Sequence, residues 1–199
     1  ECENYSNIDI LRSDWEYGGA GGIVGHCANE ASVKNCTNNG KVSGNYVIGG
    51  ICGTLEEGNI YKCENIANIG LIGKKGCGGI VGYVKRSINK IENCENCGNI
   101  NVEDNSSTEG VGGIVGIIRS SGWYEEIKLD IINCCNLGNI NADAGSAAGI
   151  VGIQGTICKK NELNIYNCYN AGKITGNKRA EIISTIAKSN NTETITNIE

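Results

Sequence analysis

Short apolar runs alternate with polar residues along this chain, and the alternation repeats at a near-constant interval. The string GGIVG occupies residues 21–25, 78–82 and 112–116, and it returns as GGICG at 49–53 and AGIVG at 148–152. Between successive copies stands C-x-N-x-[GAS]-[NK]-[IV], beginning at Cys2, Cys36, Cys63, Cys94, Cys134 and Cys168. Three residues before the last five of these cysteines stands Val33, Ile60, Ile91, Ile131 or Ile165. The intervals between the cysteines are 34, 27, 31, 40 and 34 residues. Self-similarity at such a period is the signature of a repeat architecture.

Within each copy the pattern says which side chains face inward. Counted from the cysteine, even offsets hold Cys, Asn, a small residue and Ile or Val. Odd offsets are mixed: Glu3, Thr37, Glu64, Glu95 and Tyr169 at the first, Asn7, Lys41, Asn68 and Lys173 at the fifth. A period of two with one constrained face is a half-buried strand, with the even face inside. The preceding Ile lies at an odd distance yet is equally constrained, which predicts a bend or bulge before the cysteine. Each repeat then offers three extended pieces, GGIVG, I-x-N-C and G-[NK]-[IV], with glycine at the corners.

One repeat cannot bury its apolar face alone, but stacked repeats can. The expected fold is all-β, a parallel right-handed β-solenoid of about six coils spaced about 4.8 Å apart. The coils fall near 1–20, 21–48, 49–77, 78–111, 112–147 and 148–176, with 177–199 as a degenerate terminal coil or cap. An antiparallel sandwich is the competing all-β reading. Length varies between Gly82 and Ile91, Gly116 and Ile131, and Gly152 and Ile165, so insertions are expected along one edge, after GGIVG. Past Gly176, Ser184–Ala187 reads as a worn GGIVG, and Ile195–Ile198 as I-x-N-C with Ile198 in the place of cysteine.

Composition narrows the core. The chain holds 30 Gly and 12 Cys, with no Pro, Phe or Met, and aromatics are 5% of its 199 residues. The core must therefore be Ile, Val, Leu, Ala and Cys in narrow, similar layers. A net charge of -5 argues against a phosphate-binding face, so no nucleic-acid partner is expected. No apolar run approaches the roughly 18 residues of a membrane span, so no membrane insertion is expected. The chain opens in mid-motif at Glu1-Cys2-Glu3-Asn4, which reads as a segment of a longer or processed protein.

The cysteines invite a disulfide or metal reading. Cys2, Cys36, Cys63, Cys94, Cys134 and Cys168 share an inward position, where a thiol is a small buried hydrophobe; Cys52 and Cys77 replace apolar residues of their columns. Cys97 and Cys135 fall at odd offsets on the outer face, diagonal neighbours about 7–8 Å apart, at or beyond disulfide reach. Cys27 and Cys158 lie in variable segments, where they could bridge or stay free. Cys94-Glu-Asn-Cys97 followed by Cys134-Cys135 suggests zinc, but the alternation points each pair apart, so no metal site is expected.

The asparagine column (Asn4, Asn38, Asn65, Asn96, Asn136, Asn170) reads as an internal hydrogen-bond ladder, because buried amides must be satisfied. His26 reads as a surface corner residue. Asp104, Asp130 and Asp143 are placed in loops, with no column of acids across adjacent coils. No catalytic residue, cofactor or enzymatic activity is therefore expected. The best recognition candidate is the insertion from Arg119 to Asp130, carrying Trp123, Tyr124, Glu125 and Glu126, since exposed aromatics on a scaffold's loop favour binding. Trp123 folded back over a sheet edge is the other reading. Trp15 reads as a cap.

GGIVG followed by I-x-N-C-x-N-x-G-x-I resembles the GLUG repeat of bacterial cell-surface and secreted proteins, including N-terminal regions of some immunoglobulin-A-cleaving metallopeptidases. The resemblance covers about residues 1 to 176. It implies a secreted or surface-attached, adhesin-like setting, with a host protein or a glycan as partner. It supplies no catalytic residues, and no H-E-x-x-H is present. A stalk or display scaffold is the expected function; a substrate-positioning domain of a larger secreted enzyme is the alternative.

Overall fold

The computed structural model describes residues 1–10, 18–72, 75–103, 108–119, 126–142, 145–155, 160–186 and 193–199. These residues form an all-β structure of four parallel sheets, and none of them is helical. The first sheet stacks Cys2–Asn4, Cys36–Asn38, Glu64–Asn65, Glu95–Asn96, Cys135–Asn136 and Tyr169–Asn170 in that order. The second runs from Ile8–Ile10 through Val42–Gly44, Ile69–Leu71, Ile100–Val102 and Ile140–Ala142 to Ile174–Thr175. The third stacks Ala20–Gly21, Val47–Gly49, Gly76–Gly78, Gly110–Gly112, Ser146–Ala148 and Lys178–Ala180. The fourth is larger, and holds for example Val81–Val84 and Ser87–Glu92 from one repeat beside Val115–Ile118 and Glu126–Ile132 from the next.

A repeat thus contributes to all four sheets, with two stretches in the fourth where Val81–Val84 and Ser87–Glu92 are separate strands, and the three-piece reading needs correction. GGIVG is not one extended piece but a corner between the third and fourth sheets: Gly76–Gly78 ends one strand, Gly79 and Ile80 bend, and Val81 begins the next. The corner amides bond to the following repeat, with Gly79 N–H to Gly112 O at 3.1 Å and Ile80 N–H to Ile114 O at 3.1 Å. A Cβ on Gly79 would sit 2.0 Å from Gly113 O and 2.4 Å from Asn96 Cγ, so backbone and ladder amide crowd out any side chain there.

I-x-N-C is likewise broken. The residue just before the cysteine is left-handed in five repeats, with φ of 54° at Asn35, 50° at Lys62, 55° at Asn93, 52° at Asn133 and 51° at Asn167. Asparagine tolerates this conformation better than most residues. The turn lets Ile91 and Cys94, three residues apart, both point inward, at 0% and 1% exposure.

Two apolar clusters fill the interior. One joins the corner isoleucines (Ile51, Ile80, Ile114, Ile150) to Ile60, Ile91, Ile131, Ile165 and four column cysteines, Cys36, Cys63, Cys94 and Cys134. The other joins Val42, Ile69, Ile100 and Ile140 to Ile48, Cys77, Val111 and Ala147. Dense stacks of small and β-branched side chains suit a chain poor in rings.

Register corrects three further expectations. Ala148 pairs with Ala180 and Val151 with Ile183, so the worn GGIVG is Ala180–Ser184, four residues earlier than Ser184–Ala187. Ile198 pairs with Ile165, so it extends the isoleucine column and does not replace a cysteine. Insertions also fall on a second edge: Leu71 and Gly76 pair with Val102 and Gly110, so residues 72–75 in one repeat correspond to 103–109 in the next.

Candidate functional site

The asparagine column is a continuous ladder. Asn4 Nδ2 donates to Asn38 Oδ1 at 2.8 Å, and the pattern continues through Asn65, Asn96 and Asn136 to Asn170 at 2.7–2.8 Å. Each Nδ2 gives its second hydrogen to the carbonyl two residues on, as Asn96 does to Gly98 O at 2.9 Å. Asn38, Asn65, Asn96 and Asn136 are wholly buried. Both amide hydrogens are satisfied, so burial leaves no donor stranded.

The column cysteines have a comparable role that the sequence did not suggest. Cys94 Sγ lies 3.3 Å from Glu92 O and 3.8 Å from Ile60 O, and Cys134 Sγ lies 3.2 Å from Ile132 O and 3.7 Å from Ile91 O. Cys63 and Cys168 repeat this geometry. Glu92 O already accepts the amide of Lys62 in the preceding repeat, so the thiol reaches its second lone pair. Hydrogen bonding with the Cys168 and Cys94 thiols, together with burial, holds Cys134 above the ordinary thiol range. Every described cysteine is free, including Cys27, which is buried against Ala31 O; Cys2, in the edge strand that opens the column, is exposed and not buried as expected. Cys158 lies outside the described residues.

Two polar clusters stand apart from these ladders. His26 is exposed, as expected, but it lies within strand Val24–Lys34 and not at the corner, its Nε2 3.2 Å from Glu56 Oε2. Glu56 is nearly buried and also pairs with the nearly buried Lys85 at 3.7 Å and with Arg86. A carboxylate under this sheet is thereby matched by cations from the next repeat, the condition for a tolerable buried charge.

The second cluster lies on the first sheet. In register along one outward column stand Glu3, Thr37, Glu64, Glu95, Cys135 and Tyr169. Glu64 and Glu95 are thus two acids side by side on adjacent repeats, where no such column was expected. Cys97, two residues beyond Glu95 and on the same face, places its Sγ 3.1 Å from Glu95 Oε1 and 3.7 Å from Glu64 Oε1. Burial, then the Glu95 and Glu64 carboxylates, push this thiol up to about 12. Cys135 lies on this outward column, as its odd offset implied, but its neighbours leave it only 8% exposed. Burial raises its pKa too. Glu64 and Glu95 already shared the first odd offset of successive repeats in the sequence; that the Cys97 side chain reaches both carboxylates was not legible.

No family model, curated protein or solved structure matches this chain.

Of the recognition candidates, Trp123, Tyr124 and Glu125 lie outside the described residues, as do Trp15, Asp104 and Asp143. Glu126 is exposed and begins strand Glu126–Ile132, in register with Lys160. The insertion is therefore shorter than 119–130: residues 126–130 are strand, and Asp130 there accepts Asn164 Nδ2 at 2.7 Å, so it is not a loop residue.

Proposed function

We propose that this chain is a right-handed parallel β-solenoid of about six coils, acting as a non-enzymatic stalk or display scaffold of a secreted or cell-surface protein of the GLUG-repeat kind. The observation that carries the reading is the unbroken asparagine ladder from Asn4 to Asn170. Five buried or half-buried amide bonds in series, flanked by four in-register sheets, make a structure stiff along its stacking axis. Six coils at about 4.8 Å each would form a rod roughly 30 Å long. Such a body suits holding something else at a distance or presenting a loop from its edge.

Recognition is assigned to the 120–125 segment, where Trp123 and Tyr124 stand next to Glu125 and Glu126 in the sequence. Aromatic side chains of this kind bury large area at little rotamer cost. The partner class is a glycan or a host protein. The test is an array of both, probed with the wild type and with the Trp123→Ala, Tyr124→Ala double variant. Binding lost at unchanged melting temperature supports the reading. Normal binding by the variant removes the loop from the site, and glycan cleavage or proteolysis by the wild type overturns the non-enzymatic assignment.

A further inference from the structure

We propose that Glu64, Glu95 and Cys97 together form a binding site for a thiophilic divalent cation of the zinc class. The donor atoms, one from each residue, lie within 4.8 Å of one another. Around a tetrahedral zinc, a sulfur at about 2.3 Å and a carboxylate oxygen at about 2.1 Å stand about 3.6 Å apart. The observed Sγ to Oε1 separations of 3.1 Å and 3.7 Å bracket that edge, so small side-chain rotations would admit the ion. Two carboxylates and one thiolate are a mixed hard and soft donor set that suits zinc better than calcium or magnesium. Three protein donors leave a fourth position for water.

The second argument is charge. Glu64 and Glu95 are directly in register on neighbouring strands, where like charges oppose each other. Both are half-buried, and among the described residues neither takes part in a salt bridge. The contrast with Glu56, which is matched by Lys85 and Arg86, is plain. A divalent ion between the two carboxylates would supply the missing positive charge. On binding, the Cys97 thiol gives its proton to solvent and the sulfur–metal bond forms in its place.

The site differs from the four-cysteine zinc set weighed from the sequence. Cys94 and Cys134 turn into the core and face backbone carbonyls. The outward Cys97 finds its partners in the carboxylates instead.

The test is a titration of the reduced, folded protein with Cd²⁺, followed by the ultraviolet thiolate-to-metal absorption, in a Cys2→Ser, Cys158→Ser background that removes the exposed Cys2 and the undescribed Cys158. The expected result is one ion per chain, competed off by Zn²⁺. Cys97→Ala should abolish the band, and Glu64→Gln with Glu95→Gln should weaken binding by at least about tenfold. Cys77→Val, in the core, should bind as the background does. Absence of uptake by the background protein overturns the site, as does an unchanged band in Cys97→Ala. If Cys97→Ala does not fold, the carboxamide pair decides: affinity equal to the background's overturns the proposal.

Discussion

Glu181 Oε2 accepts Nδ2 of Asn170 at 2.8 Å, and so stands where the next asparagine of the ladder would be. Glu181 occupies the column of Gly149, whose own added Cβ would lie 2.3 Å from Asn170 Cβ. In earlier repeats glycine keeps that place open for the amide. Here a longer side chain fills it and ends the row on a carboxylate. Glu181→Gln keeps an acceptor and should leave stability near wild type. Glu181→Ala should cost about 0.5 kcal/mol, the low end for one hydrogen bond because this one is exposed, readable in urea unfolding.

The interior of the ladder should respond more strongly. Asn96 accepts from Asn65 and donates to Asn136 and to Gly98 O, all in a buried setting. Asn96→Ala strands a donor on one side and an acceptor on the other, so the expected loss is about 3 kcal/mol. A loss below 1 kcal/mol in urea unfolding would mean that water enters the row.

Glycine substitutions should separate by place. Gly79→Ala drives its Cβ into Gly113 O and the Asn96 amide, and should be among the most damaging single changes available, above about 4 kcal/mol or failing to fold. Gly70→Ala, in the outer face of the second sheet, meets no atom closer than 3.7 Å and should be neutral or slightly stabilising. Thermal melts of the two variants make the comparison.

Thiol chemistry gives a pH prediction. Burial raises the Cys77 and Cys52 thiols well above their ordinary value. Above the unfolded thiol pKa, about 8.5, the unfolded chain has lost protons that the folded chain still holds. Stability from these groups is therefore complete below that pH and falls as pH rises beyond it. Melting temperature should decline on the alkaline side, and Cys52→Val with Cys77→Val should flatten the decline. Valine already stands in register with both, at Val24 and Val81 beside Cys52 and at Val111 beside Cys77, so the pair should fold normally at pH 7.

The same thiols can be counted. Without reductant, the denatured protein should show at least eleven reactive groups per chain, and a count near zero would mean the column is disulfide-bonded. In the native state Cys2, which is exposed, should react first, and Cys63, Cys77, Cys94 and Cys134 only on unfolding.

Local periodicity was enough to read the repeat, the inward even face from Cys36 to Val42, and the need for a bend ahead of each cysteine. Those features depend on alternation within one strand and on the limited tolerance for left-handed backbone, and both are written in neighbouring residues. Counting from the cysteine also stacked Asn4 to Asn170 and Glu64 beside Glu95; what it could not say is how the worn C-terminal repeat, which lacks the cysteine, lines up with the one before it. Backbone pairing between repeats made that choice, assigning Ile198 to the isoleucine column and Ala180–Ser184 to the worn corner. The same pairing holds Glu64 and Glu95 close enough for the Cys97 side chain to reach both carboxylates. That reach depends on hydrogen bonding across a gap of 31 residues, which sets a distance that counting along the chain cannot give.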